Sequence, residues 1–479
     1  MEEEKPPSVE APKPPPKRTG LWIGIAVVVV VAIIVGSLAY LGYFNPPPTD
    51  TQLRIGSVLT LTGTSGLEVF GPANQRGIQL AIKEINAAGG VLGNPIVYTP
   101  EDDTGVPATA RDRAQKLVTT DRVDAIIGAV GSGFCAQVLE VTRENQIVQI
   151  SASCTSPIFT NLTYTEGWFF RTAPSDALQG VVAANYAHGV LGFRTMVVIG
   201  NNNPYGRGLA NVFATEFESL GGGADATVAI FAEGATSYAS DLQTLFTPTL
   251  PEAVYMAEYP TDGLKVMRDW AANPAWASVK WVFSEGLLDQ AGYVDLLDEQ
   301  GIDLATIQTF QGSAPGAYLG IVGADYDEFL SRYRAEYGAT ADPGLFTANA
   351  YDAVYLLAAA AQAAGVATPA GIQGQLRPVS TPQTGDTVVK GGQWSTIRTE
   401  LAAGRGINYE GASGAVNLDQ FGDPALAGYS IWGINNLQRI YTVRNYTEAE
   451  VAAMLAPPLA VSVVAWSVPW LASPARQEA

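Results

Sequence analysis

From residue 52 onward the sequence predicts an α/β fold of two doubly wound, Rossmann-like lobes, each with a parallel central sheet. Three observations predict it. Short apolar, β-branched runs alternate with helical stretches along the chain. The runs are short, β-branched and apolar, as buried parallel strands are. Nine such runs are many for a single sheet, which favours two.

Taken in order, residues 1–20 are rich in proline and charge and read as a disordered cytoplasmic tail. Residues 21–44 contain an almost unbroken apolar run, Leu21 to Tyr43, with no charge between Arg18 and Asp50. At ~1.5 Å per residue such a helix spans ~35 Å, enough for a bilayer core. Trp22, Tyr40, Tyr43 and Phe44 lie at its ends, as interfacial aromatics do. The run is longer than the apolar core of a cleavable secretory signal, so it reads as an uncleaved transmembrane signal anchor; cleavage near Ser37 to Ala39 is the rival. Lys13, Lys17 and Arg18 precede the span and no base follows until Arg54. The positive-inside rule therefore places the N-terminus in the cytoplasm and the remainder outside the cell membrane. Residues 45–51, with three consecutive prolines, are a stiff spacer.

Strands are then predicted at 53–59, 96–99, 125–129, 148–151, 195–199, 227–231, 253–257, 279–284 and 307–311. Helices are predicted at 72–88, 108–119, 134–143, 177–190, 208–220, 262–272 and 345–364. Pro72 suits a first turn and Gly89-Gly90 a helix stop. In the tail, 446–479, the apolar run Leu459 to Leu471 is too short for an ordinary span and contains Pro469. It reads as packing on a lobe or resting on the membrane surface.

The net charge is −19, and residues 1–49 hold four acids and four bases, so the excess belongs to the rest of the chain. An acidic domain lacks the basic face that nucleic acid requires. Cys135 and Cys154 have no metal-ligand spacing, and His188, the single histidine, sits at a predicted helix end. No metal or cofactor is expected. In an oxidising compartment the two cysteines are disulfide candidates, with a pair of buried free thiols as the alternative. Asn161-Leu162-Thr163 and Asn445-Tyr446-Thr447 are glycosylation sequons, which suit an outside location.

Two strand ends carry the clearest chemistry. Ala125-Ile126-Ile127-Gly128 breaks into Ala129-Val130-Gly131-Ser132-Gly133, and Ile147-Val148-Gln149-Ile150 into Ser151-Ala152-Ser153-Cys154-Thr155-Ser156-Pro157. Each apolar run gives way to small hydroxyl residues and then opens a helix. Neighbouring parallel strands would converge their hydroxyls, free N–H groups and helix dipoles on an anion the size of a carboxylate. Ser132 suits an N-cap for the helix at 134–143, and Thr155 or Ser156 one for a helix starting at Pro157.

Over roughly residues 52–440 the chain resembles the type I periplasmic solute-binding proteins of ABC importers, in particular the branched-chain amino acid (Leu/Ile/Val) binding family. The motifs are Ile55-Gly56-Ser57-Val58-Leu59-Thr60-Leu61-Thr62-Gly63, Gly71-Pro72 through Gly77, Glu84-Ile85-Asn86-Ala87-Ala88-Gly89-Gly90, and Glu101-Asp102-Asp103-Thr104. Further on come Arg171-Thr172-Ala173-Pro174-Ser175-Asp176 with Gln179-Gly180, Tyr205-Gly206-Arg207-Gly208, Tyr351-Asp352-Ala353-Val354-Tyr355 and Phe421-Gly422-Asp423. The resemblance implies an N-terminal lobe of residues 52–172 plus 312–425 and a C-terminal lobe of 173–311 plus 426–445. The hinge would run through Thr172-Ala173, Gln311-Gly312 and Pro424 to Gly428.

It also implies a zwitterion site between the lobes. Ser132 falls where the family uses a serine hydroxyl and N–H for the ligand carboxylate, and Ser153 and Thr155 lie on the second strand-end loop that binds carboxylate and amine. Glu285 matches the acid that pairs with the ligand ammonium. Phe70, Tyr205 and Tyr259 match aromatics lining the pocket. Each has a structural alternative: helix cap, turn residue, surface acid or core aromatic. The chain departs from the family pattern at Ser153-Cys154 and at Gly133.

The implied function is the extracellular solute-binding component of an ABC importer, capturing a small amino acid, branched-chain or otherwise apolar, and delivering it to permease subunits with their ATPases. The alternatives are a ligand-sensing receptor ectodomain and a binder of a related small amide or carboxylate. An enzyme is not expected. Gly128 to Gly133 is out of the dinucleotide-binding register, and Ser132 lacks the G-x-S-x-G elbow.

Overall fold

The computed structural model describes residues 50–302, 311–315 and 323–455. The expected tail 1–20, signal anchor 21–44, most of the spacer, most of the strand at 307–311 and the run Leu459 to Leu471 lie outside the described residues. Among the described residues no single helix is long and apolar enough to cross a membrane.

The first lobe is built on a five-stranded parallel sheet of β1 (Arg54–Leu59), β2 (Val97–Asp102), β3 (Ala125–Gly128), β4 (Val148–Ser151) and β5 (Phe169–Arg171). Their order is β2-β1-β3-β4-β5. β3 and β4 are buried throughout, β4 with a polar Gln149 whose Nε2 donates to Gly128 O (2.9 Å). Between them run helices α1 (Gly71–Ala87), α2 (Pro107–Lys116) and α3 (Ser132–Glu144). The strand order reverses between β1 and β3. Open α/β sheets bind ligands outside the carboxyl ends of the strands at such a switch point.

The second lobe carries α4 (Asp176–Gly189), β6 (Thr195–Asn201), α5 (Pro204–Ser219), β7 (Asp225–Phe231), β8 (Ala253–Ala257), α6 (Pro260–Ala271), β9 (Lys280–Phe283) and β10 (Gln311–Pro315). Three short strands, β11 (Thr387–Lys390), β12 (Ile407–Gly411) and β13 (Gly414–Ala415), form a separate sheet that sequence patterning did not indicate. β14 (Tyr429–Ile434) and β15 (Ile440–Tyr446) return to the second sheet, whose order is β15-β14-β10-β9-β8-β6-β7. Here the strand order reverses between β6 and β8.

Two expectations need correction. The second sheet is mixed, because β10 pairs antiparallel with β14, and β14 with β15. And residues 312–315, expected in the first lobe, belong to the second sheet through β9 and β14. The reason is steric. Gly312 stands opposite Trp432, and a Cβ there would collide with the indole, so this glycine makes room for a cross-strand tryptophan rather than a hinge.

The alanine-rich helix α7 (Thr347–Ala364) is buried along most of its length and packs on α1. The helix α8 (Glu448–Leu455) lies on α4, with Val451 in a small core beside Tyr186, Tyr429 and Tyr446. The lobes touch directly. Thr261 Oγ1 donates to Thr64 O (3.2 Å), and Ser156 Oγ donates to Pro204 O (2.8 Å).

Candidate functional site

The carboxyl ends of β3 and β4 lie side by side, as their register requires. Gly131 caps α3, so Ser132 is its first helical residue and not the cap expected from sequence. A glycine there leaves no side chain to turn back on the helix. The N–H groups of Phe134 and Cys135 bond Gly131 O, which leaves those of Ser132 and Gly133 as the donors at this helix end. Ser132 Oγ accepts from Ser156 N (3.2 Å), joining the two strand-end loops. Ser156 caps the short helix at Pro157, its hydroxyl accepting from Ile158 N. Ser153 Oγ donates to Val130 O (2.8 Å) and accepts from Asn74 Nδ2 (3.5 Å). Its hydroxyl thus ties the end of β4 to that of β3. Cys135 and Cys154 are joined by a disulfide that staples α3 to the same loop.

Arg171, at the end of β5, holds this loop from beneath. It is fully buried and all five of its N–H donors are engaged. Two reach Asp423 (2.6 and 2.7 Å), one reaches Thr160 Oγ1 (3.0 Å), and the others reach the carbonyls of Cys154 (3.1 Å) and Ser156 (3.0 Å) on either side of Thr155.

The opposite wall is acidic. Asp176 opens α4 behind Ser175, which caps the helix, and its N–H donates to Thr155 O (2.8 Å). Its carboxylate is fully buried, and no well-formed hydrogen bond reaches either oxygen from the described residues. Burial first, and then the Glu285 carboxylate, push it well above the ordinary aspartate range. The Thr155 hydroxyl and the Arg171 guanidinium only partly oppose this. One turn along α4, Gln179 Nε2 donates to Glu285 Oε2. Burial raises Glu285 to about 7, despite Gln179, the Tyr205 hydroxyl and the backbone N–H groups that favour its charged form.

Aromatic side chains close the ring. Asn203 caps α5, accepting from Gly206 N (3.0 Å), and Pro204 fills its first turn. The helix therefore begins before the 208–220 read from the sequence and includes Tyr205. The Tyr205 hydroxyl donates to Ser284 Oγ (2.7 Å) and accepts from Gly286 N (3.3 Å). Its ring stacks on Tyr259 at 5.0 Å, and the Tyr259 hydroxyl faces the Ser132 backbone across the lobes. Six of the seven residues expected from sequence thus converge: Ser132, Ser153, Thr155, Tyr205, Tyr259 and Glu285. Phe70 lies at the start of α1 as part of the apolar core, and no polar contact joins it to this ring.

Asp176, Gln179 and Arg171 were not singled out as site residues by sequence. The available signal was the motif Arg171 to Asp176 with Gln179-Gly180, but locally a Ser-Asp pair reads as an ordinary helix start. Among the described residues no group of three His, Cys, Asp or Glu side chains is set to hold a metal.

A buried ring between the lobes, with donors on one wall and carboxylates on the other, can clamp a small solute that carries both charges. The comparisons agree with this architecture. A family model described as periplasmic binding protein matches residues 52–400. The chemotactic signal transduction system substrate-binding protein BasB of Halobacterium salinarum is 28% identical over 79% of this chain and 86% of its own length. The Leu/Ile/Val-binding protein homolog 1 of Brucella suis is 27% identical over 87% of this chain and 96% of its own. The crystal structure of the leucine binding protein LivK from Thermotoga maritima superposes with a TM-score of 0.68 at 21% identity, covering 83% of this chain and 99% of that one. Two doubly wound lobes, a site at both switch points and a family match over most of the chain together lead to one conclusion: the chain belongs to the periplasmic binding protein family.

Proposed function

We propose that the protein is the solute-binding component of an ABC importer and that it captures a free amino acid between its lobes. One observation carries the reading: hydroxyl and N–H donors at Ser132 and Thr155 stand in one ring with the buried acids Asp176 and Glu285. A zwitterion needs that pairing, because a desolvated charge without a partner is costly. The carboxylate is held by Ser132 and the Thr155 loop, and the ammonium by Glu285 and Asp176. Tyr205 and Tyr259 supply an apolar wall. Docking on a permease with its ATPases follows from the family role. An N-terminal anchor at residues 21–44, with the lobes outside the cell membrane, follows from the charge asymmetry of the sequence. The names of the relatives make leucine, isoleucine and valine the first candidates.

Titration calorimetry of the purified full-length chain with leucine, isoleucine, valine, phenylalanine, alanine and polar amino acids tests the reading. Binding of at least one is expected, and Glu285→Ala should weaken it at least tenfold. Failure to bind any amino acid overturns the ligand class. A Glu285→Ala variant as tight as wild type overturns the ammonium role. A second reading, a sensor that feeds a chemotaxis pathway, is favoured by the name of the Halobacterium relative. It predicts ligand-dependent taxis that survives loss of uptake.

A further inference from the structure

A third buried acid lies beside the ring and is not used by the zwitterion clamp. Glu258 follows β8 directly and, with Tyr259, links it to α6. Its carbonyl belongs to the site wall: a Cβ on Gly286 would come 2.5 Å from Glu258 O and 2.8 Å from the Tyr205 hydroxyl. The Glu258 carboxylate is fully buried, and neither oxygen accepts a hydrogen bond from the described residues. A second, independent group shares its surroundings. The Tyr293 hydroxyl is fully buried, makes no hydrogen bond to the described residues, and feels the Glu258 charge.

The other charged neighbours do not neutralise Glu258. Asp262 and Glu233 carry the same sign, and the ammonium of Lys265, which acts against them, is held by Asp262 at 2.9 Å. This corner lies at the contact between the lobes. The first-lobe segment Thr64 to Phe70 meets the residues beside it, with Gly66 against Thr261 N and Val69 against Gly292, the neighbour of Tyr293.

A buried carboxylate and a buried phenol without partners form a receptor for hydrogen-bond donors. We propose that Glu258, backed by Tyr293, recognises a donor group at the end of the ligand's side chain, so that the site prefers amino acids ending in ammonium, guanidinium or amide over those ending in hydrocarbon. The inference rests on the amino-acid reading above and departs from the ligands in the relatives' names. A hydrocarbon side chain would leave the acid unanswered, whereas a donor would pair with it.

The test compares affinities of the full-length chain for lysine, ornithine, arginine and glutamine with those for leucine, isoleucine and valine. At least one donor-bearing ligand is expected to bind tenfold or more tighter than leucine. Glu258→Leu should reduce that ratio at least tenfold. Glu258→Gln keeps the size of the side chain and guards against a folding defect; it should lower the preference for cationic over amide side chains. If leucine, isoleucine or valine binds tightest and the ratios are unmoved in Glu258→Gln, the inference fails while the amino-acid reading stands. If a stably folded Glu258→Leu keeps the wild-type ratios, the acid is structural and the inference fails likewise. If the wild type binds no amino acid, both readings fall.

Discussion

Replacing Arg171 by methionine tests the support beneath the site. The substitution keeps an unbranched apolar stem and removes five hydrogen bonds at once. Asp423, 3% exposed, keeps the Thr160 hydroxyl (2.6 Å) on its carboxylate but loses the bidentate guanidinium. Breaking a buried ion pair by removing one partner costs about 3–5 kcal/mol, chiefly through the charge left behind. The Cys154 and Ser156 carbonyls each lose a charged donor as well, and losses of this kind run about 1–3 kcal/mol without being additive. About 4 kcal/mol is therefore expected for Arg171→Met, read from guanidinium denaturation. Asp423→Leu in the same chain removes the stranded charge and should restore stability to within about 2 kcal/mol of wild type. Ligand affinity should not recover, because nothing then pins the two carbonyls that flank Thr155. The reasoning is refuted if Arg171→Met loses less than about 1 kcal/mol, well below the range for a broken buried pair. It is refuted equally if the double variant binds ligand as the wild type does.

Three further outcomes follow from named contacts. Burial raises Glu285 from 4.5 to about 7 and moves Asp176 in the same direction. The stability held by their protonated forms is full below the unfolded-state pKa values and is lost as pH rises toward the native ones, so the slope of stability between about pH 4.5 and 7 is negative and Glu285→Gln should flatten it. A ligand ammonium favours the ionised acids, so binding should release protons and tighten across that window, as measured by calorimetry in buffers of different ionisation enthalpy. The disulfide joins cysteines 19 residues apart, and its reduction or a Cys135→Ala/Cys154→Ala pair should cost roughly 3 kcal/mol in a denaturant titration. A Cβ on Gly131 would lie 2.6 Å from Leu67 Cδ1 and 3.1 Å from the Tyr259 hydroxyl. Gly131→Ala should therefore hold the lobes apart and weaken ligand at least tenfold, with a larger radius of gyration by solution scattering at saturating ligand.

Local patterning made the strands legible, because buried parallel strands are short apolar runs whichever neighbour they pair with. It also located Ser132, Ser153 and Thr155, whose signal is the switch from β-branched to small hydroxyl residues at a strand end. Tyr205, Tyr259 and Glu285 have no such signal and came from the family resemblance. Asp176 and Glu258 were hidden because an acid beside a helix start or a strand end is ordinarily solvated. Only the second lobe's packing shows that these two are not. Arg171 and Asp423 stand 252 residues apart, and Gly312 is matched to Trp432 across strands that no local pattern connects. Long-range pairing of this kind is set by topology, so Gly312 read as a hinge when it is a strand residue.

The arrangement of charge also says what kind of solute can close these lobes. Asp176 and Glu285 both belong to the second lobe, and the Ser132 and Thr155 loops that cover them belong to the first. Bringing the lobes together removes water from two carboxylates at once. The nearby guanidinium cannot compensate, since Arg171 is committed to Asp423 and three other acceptors. The positive group has to come with the ligand, and a ligand shifts a conformational equilibrium only by what it binds better in one state than the other. The amine, more than the carboxylate, should therefore drive closure. The des-amino analogue of whichever amino acid binds tightest keeps the carboxylate and side chain but lacks this charge. It should bind about 100- to 1000-fold more weakly, the equivalent of about 3–4 kcal/mol for a buried acid left unpaired. It should also fail to compact the protein in solution scattering. An analogue that binds within threefold of its parent would mean that Asp176 and Glu285 remain protonated in the complex, and the acidic wall would then have no part in recognising the amine.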